Sequence, residues 1–216
     1  MRKLLSKEFR LAMHPVSIIF LMFAFMLNIP DYFYFVVFFY HILAVFFTFQ
    51  QGRENNDVVY MLTLPIGRRD VVKARVVFTV IFEMISMAVC IPFAMMSQQA
   101  FPEGSIAGLD CNITLFAAAL IMYGIFHIVF FPMHYRDVRK IGVPFLIASL
   151  ICAVYMIAVT GMAIAGGGIM DKLDTPDTMY VNEKLIALAV GIVIYVGLTL
   201  AAYFSSARLF EKRGTI

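Results

Sequence analysis

Three ionisable side chains, His41, Glu83 and His127, fall inside stretches that otherwise carry almost no charge. Imidazole and carboxylate are the groups a protein uses to pass a proton or to grip a polar cargo. In hydrocarbon both are costly to bury, so they face a bundle interior or a wet cavity. Their depths can be compared along helices. Glu83 lies eight residues beyond Arg75, about 12 Å at the α-helical rise. His127 lies seven residues before His134, about 10 Å by the same rise. If the two segments are sequential, antiparallel spans, Glu83 and His127 can form a buried polar pair within one subunit. Such a pair reads either as a relay or substrate contact, or as polar glue between helices.

The rival chemistry is an intramembrane enzyme. That would need a nucleophile and base, or a metal cluster, at one depth. His127 and His134 are seven apart with Pro132 between them, so their depths differ by two helical turns. Neither H-E-x-x-H nor G-x-S-x-G occurs, and no spaced pair of intramembrane aspartates is present. Cys90, Cys111 and Cys152 include no C-x-x-C, which leaves no redox pair or zinc cluster to read. No G-x-x-x-x-G-K-[ST] occurs, so any ATP used must be hydrolysed on another chain. No cofactor or metal is therefore expected in this one. "NIT" at Asn112 matches a glycosylation pattern but abuts an apolar segment.

The elements that would position these groups follow from composition. Of 216 residues, 62% are hydrophobic and 14% charged, with a mean hydropathy of +0.88. Soluble domains average about 45–50% apolar and about 25% charged. The expected class is an all-α integral membrane protein with a single transmembrane domain over 1–216. A template of about 20 residues places six spans, near 15–29, 32–50, 74–96, 113–133, 143–168 and 185–205. With the N-terminus cytoplasmic, the inner segments hold fifteen basic residues: Arg2, Lys3, Lys7, Arg10, Arg53, Arg68, Arg69, Lys73, Arg75, Arg136, Arg139, Lys140, Arg208, Lys212 and Arg213. The outer segments hold two, Lys172 and Lys184. That asymmetry sets both termini in the cytoplasm. It also explains the net charge of +3 without a nucleic-acid partner. No small-x-small site follows the first apolar run, which argues against a cleaved signal peptide.

Smaller features fill in this frame. Residues 1–13 pattern as an amphipathic interfacial helix, with Leu5, Phe9 and Ala12 on one face and Lys3, Lys7 and Arg10 on another. Span two is crowded with Phe and Tyr. Gly161 and Ala165, and Ala187 and Gly191, are small residues four apart, which lets helices approach closely within or between subunits. "AGGGIM" at 165–170 ends or breaks span five. The 170–184 segment is the longest outer loop and has room for a short re-entrant or interfacial helix.

One connector stands apart, "ENNDVVYMLTLPIGRRDVVKAR" at 54–75. Val58, Met61, Leu62 and Pro65 follow i, i+3, i+4, i+7, so residues 55–64 read as a short amphipathic helix. Asn55, Asn56 or Asp57 can cap its start. Pro65 ends it, because the residue before proline disfavours the α region. Gly67 allows a turn, and Asp70 sits in the first turn of the next helix, where the dipole favours an acid. The product is a helix along the inner face, held by arginines, that a soluble partner can grip. An ordinary interfacial loop helix is the plainer reading.

This connector resembles that of the permease subunits of ATP-binding-cassette exporters, in the ABC type-2 permease family of small bacterial members. The likeness lies in Glu54, then Leu64, Pro65, Ile66, Arg68, Arg69, Asp70, Val71, Val72 and Arg75, with Gly67 where Ser or Thr is usual. It extends to the basic N-terminal helix, the six spans, the tail "ARLFEKRG", and a second inner connector with Pro132, Tyr135, Arg139, Lys140 and Ile141. The second connector is shorter than the usual form and lacks its Phe-Gly pair.

The resemblance implies a mechanism. Two permease subunits, identical or sister chains, would meet at a pore or cleft in the bacterial plasma membrane. ATPase subunits, holding ATP and magnesium, would dock beneath. The helix after span two would be the coupling helix, with Glu54, Asp57, Val58, Met61, Leu62, Leu64, Pro65, Arg68 and Arg69 as the coupling residues. A regulatory or immunity subunit that binds a partner without moving cargo is the alternative from another class.

Overall fold

The computed structural model describes residues 2–9, 15–102, 104–105 and 107–212. The described chain is helical throughout its apolar stretches. In hydrocarbon a backbone N–H or C=O has no water to bond, and the α-helix satisfies each group within its own segment. In chain order the helices are α1 (Arg2–Lys7), α2 (Val16–Met22), α3 (Phe35–Glu54), α4 (Asp57–Thr63), α5 (Arg68–Ala100), α6 (Ile113–Arg136), α7 (Gly142–Ala165), α8 (Met170–Leu173) and α9 (Val181–Lys212). A 3₁₀ stretch, Phe23–Asn28, continues α2.

Five of these helices, α3, α5, α6, α7 and α9, are long and apolar enough to cross a membrane. They correspond to the second to sixth expected spans. The first is a shorter apolar helix, Val16–Asn28. Described residues on either side of it lie beside α5. Glu8 lies 3.0 Å from Arg75 near the start of α5, while Tyr34 lines a small cavity with Ser97 and Gln98 near the end of α5. Residues 10–13 of the expected amphipathic helix, with Arg10 and Ala12, lie outside the described residues.

Helix α6 is the centre of the bundle, with 67% of its apolar window buried against 28% for α7 and 22% for α9. Its closest neighbour is α9, and small residues permit that approach. A Cβ on Gly191 would stand 2.8 Å from the Ala117 carbonyl oxygen, and one on Gly124 3.3 Å from Tyr195 Cα. Gly191 thus packs inside this subunit, whereas a Cβ on Gly161 would meet nothing. The aromatic run of α3 is core too: Phe35, Phe38 and Phe49 are buried, the last edge-on to Phe130 at 5.0 Å. The three cysteines are free and buried.

At the less basic end, two loops close over the bundle. Gly166, Gly167 and Gly168 all take positive φ, which ends α7 where "AGGGIM" predicts a break. The longest loop carries only the four-residue α8. Asn112 fastens it: its side-chain amide donates to the carbonyls of Leu173 and Thr175 at 2.8 and 2.9 Å, and its Oδ1 caps α6 by accepting from Leu115 N–H at 3.1 Å. Fully buried and so engaged, Asn112 is closed to glycosylation in the folded protein. Asp110 N–H donates to Asp174 Oδ1 at 2.7 Å. Buried Lys184 donates to the carbonyls of Thr175 and Pro176 and faces Asp177 Oδ1 at 3.4 Å. Burial raises the carboxyl pKa of both Asp110 and Asp174. The Ser105 N–H and Lys184 pull Asp110 back in part. The Asp110 N–H and Lys184 do the same for Asp174, while the Asp110 charge adds to its rise.

Candidate functional site

The bundle interior brings Glu83 and His127 together. Glu83 Oε1 lies 2.9 Å from His127 Nε2, and both residues are fully buried. Two further residues complete the cluster, both from α9. Tyr195 donates its hydroxyl to Glu83 Oε2 at 2.7 Å, and Thr199 Oγ1 lies 2.9 Å from His127 Nδ1. Tyr195 and Thr199 are four apart, hence on one helical face. That spacing is the signal in the sequence that could have found them.

The cluster stays fully hydrogen-bonded in two states that differ by one proton. With the proton on Nε2, the imidazole donates to the carboxylate and Nδ1 accepts from the Thr199 hydroxyl. With one further proton, so that Glu83 is a carboxylic acid and the imidazole hydrogen sits on Nδ1, the carboxyl donates to Nε2 and Nδ1–H donates to Thr199. A hydroxyl both gives and takes, so every group stays bonded in either state. The cluster joins α5, α6 and α9. Tyr195 also connects it to a groove of about 640 Å³ between those helices, lined by Met84, Met87 and Met95 among others. His41 stands apart from the Glu83 cluster: its Nδ1 lies 2.8 Å from the hydroxyl of Tyr123, one turn along α6 from His127.

The polar connector forms the second site. The sequence predicts a helix over 55–64, and α4 occupies Asp57–Thr63. Leu64, before Pro65, turns extended at φ −88°, ψ 155°, as the proline demands. The start of α4 differs from expectation. No side chain caps it, and Asn56 takes the left-handed conformation at φ 49°. Asp57 is drawn elsewhere, because two cations compete for its carboxylate. Oδ2 accepts from Arg75 Nη2 at 2.7 Å, and Oδ1 pairs with Lys7. With Arg75 Nε beside Glu8, these four charges lash α1 and α4 to α5.

The apolar face of α4 is already used. Met61 is 2% exposed, and Val58 and Leu62 pack against the core. What α4 turns outward is Val59, Tyr60 (63% exposed), Thr63 and Leu64. Val59 and Tyr60 escape the periodicity because they fall between its apolar positions. Glu54 and Pro65 are exposed at the two ends of this surface, and Glu54 accepts from Gln50 at 3.1 Å. Arg68 and Arg69 bind the tail of α9 instead: Arg68 donates to the Phe210 carbonyl at 3.3 Å, and Arg69 pairs with Glu211 at 2.7 Å. At the corner, a Cβ on Gly67 would stand 3.1 Å from the Asp70 carboxylate, which occupies part of the space a capping side chain would use.

Five long apolar helices around a buried polar cluster are the architecture of a multi-pass membrane protein. The chain matches the family model described as ABC-2 family transporter protein over residues 3–211. It belongs to that family. No curated protein and no solved structure matches it.

Proposed function

We propose that this chain is the permease subunit of an ATP-binding-cassette exporter in a bacterial plasma membrane, with ATP and magnesium held and hydrolysed by a separate ATPase subunit. The observation that carries the reading is α4. It is a short helix outside the long apolar segments, fixed to α1 and α5 by the partly buried ion pairs of Asp57 with Lys7 and Arg75, with an unused outward surface of Val59, Tyr60, Thr63 and Leu64. Family membership supports it. In this reading α4 is the coupling helix, and its outward face, rather than the Met61 face, meets the ATPase.

In this reading the shorter apolar helix Val16–Asn28 belongs to the sixth crossing, which Glu8 beside Arg75 and Tyr34 beside Ser97 and Gln98 support. Both termini then lie at the basic, cytoplasmic end. Closure of the ATPases would move α4, and the ion pairs would carry that motion into α5 and so to Glu83. This is coupling through an interface that both partners bias. A second permease subunit completes the pathway. The test is reconstitution: the purified chain and its ATPase in proteoliposomes, with ATP turnover and cargo movement measured together. Turnover that depends on the permease supports the reading. A chain that purifies without any ATPase and leaves ATPase turnover unchanged overturns it.

A further inference from the structure

A cleft at the basic end is lined by α3, α4, α5, the end of α6 and the connector after it. Its charged lining is wholly cationic: Arg53, Arg75 and Arg139, with no carboxylate among the lining residues. Two buried polar atoms there are without partners among the described residues. One is Arg75 Nη1, on a side chain whose other nitrogens are held by Glu8 and Asp57; the residue is 5% exposed. The other is His134 Nδ1, on a residue 3% exposed. A buried donor without an acceptor is costly, as at Arg75 Nη1, and a cleft whose charged lining is all guanidinium favours an anion. Gly52 helps to form it, since a Cβ there would stand 3.2 Å from Arg75 Nη2.

Charge and size define the occupant. Lys7 and Arg75 are balanced by Asp57 and Glu8. The uncompensated charge is that of Arg53 and Arg139, which are exposed at the rim and make no ion pair among the described residues. The cleft is half-open with about 60 Å³ of space, room for one small tetrahedral anion. Val58, Val59 and Val138 add apolar walls. Guanidinium groups favour phosphate, which they engage with paired N–H donors. We propose that this cleft is a phosphate-binding site, with Arg53 and Arg139 gripping the anion at the rim and the Arg75 guanidinium among the residues that line it. Basic pockets between spans at the cytoplasmic surface take anionic lipid headgroups in this way. The inference rests on the cleft's own geometry and does not require the transport reading.

The test uses the full chain in nanodiscs and the variant Arg53→Gln/Arg139→Gln, whose side chains are exposed and unpaired. One arm compares zwitterionic nanodiscs with nanodiscs containing phosphatidylglycerol, reading retained lipid by native mass spectrometry. The other titrates inorganic phosphate, reading thermal stability. Arginine-dependent retention of phosphatidylglycerol, about tenfold weaker in the variant, assigns the site to a lipid phosphate. Arginine-dependent stabilisation by inorganic phosphate alone assigns it to a soluble one. Equal binding by parent and variant in both arms, or none by either, overturns the proposal. So does a variant that binds both probes normally and loses only its ATPase partner, which would make the cleft a protein-docking surface.

Discussion

Glu83 ties two other helices to its own with its two carboxylate oxygens, one to His127 and one to Tyr195. Removing the side chain strands both partners in the bundle. Breaking a buried pair by deleting one member costs about 3–5 kcal/mol. Glu83→Ala is therefore expected to lower the thermal unfolding midpoint in detergent strongly. Glu83→Gln, whose amide oxygen accepts from Tyr195 and whose NH₂ donates to His127, is expected to lose much less. Equal losses in the two variants would show that the cluster is not hydrogen-bonded as described. The meeting of Glu83 with His127 was legible from sequence, because both lie at countable distances from basic residues at the same end. Tyr195 and Thr199 were not, since uncharged residues in a helix rich in Ala, Val and Gly carry no cost that betrays them.

At the scale of elements, periodicity located α4 but not which way its surfaces are used. The i, i+3, i+4 pattern of Val58, Met61 and Leu62 marks an apolar face, and apolar faces pack on whatever is nearest, here the chain's own core. The expected cap failed for a related reason: Asp57 has stronger partners in Arg75 and Lys7, which lie 18 and 50 residues away in sequence. Small residues show the same limit. Spacing nominates Gly161 and Gly191 alike, yet only Gly191 abuts another backbone. Gly191→Ala is expected to force α9 off α6 and cost about 1–3 kcal/mol. Gly161→Ala in the exposed stretch of α7 is expected to be neutral or stabilising, by up to about 1 kcal/mol. Paired thermal melts of the two variants check this.

The loop clasp gives a prediction of its own. Asp110 and Asp174 have raised carboxyl pKa values in the fold. A raised acid binds its proton more tightly when folded, so its contribution is full below the unfolded pKa near 3.8 and lost as pH rises through the folded value. Stability measured upward from about pH 4 to about pH 7 should therefore carry a falling component from the clasp. Asp174→Asn keeps an acceptor for Asp110 N–H and should flatten that component. An unchanged slope would remove these carboxyls from the account.

For the whole molecule, composition and the basic asymmetry indicate a helical membrane bundle before any coordinate is seen, and five long helices match five expected spans. The remaining segment resists a length rule because Pro30, the 3₁₀ stretch and the turn at Asp31 shorten its regular helix. The central claim is that α4 is the handle through which a separate ATPase drives these spans. It is tested most directly by measuring association of the purified chain with its ATPase subunit, parent against Tyr60→Asp, with equal thermal melts as the control for folding. Tyr60 is 63% exposed, so the substitution leaves the core untouched. The account predicts at least about a tenfold loss of association, roughly 1.4 kcal/mol. Unchanged association and unchanged ATP turnover in Tyr60→Asp would contradict it.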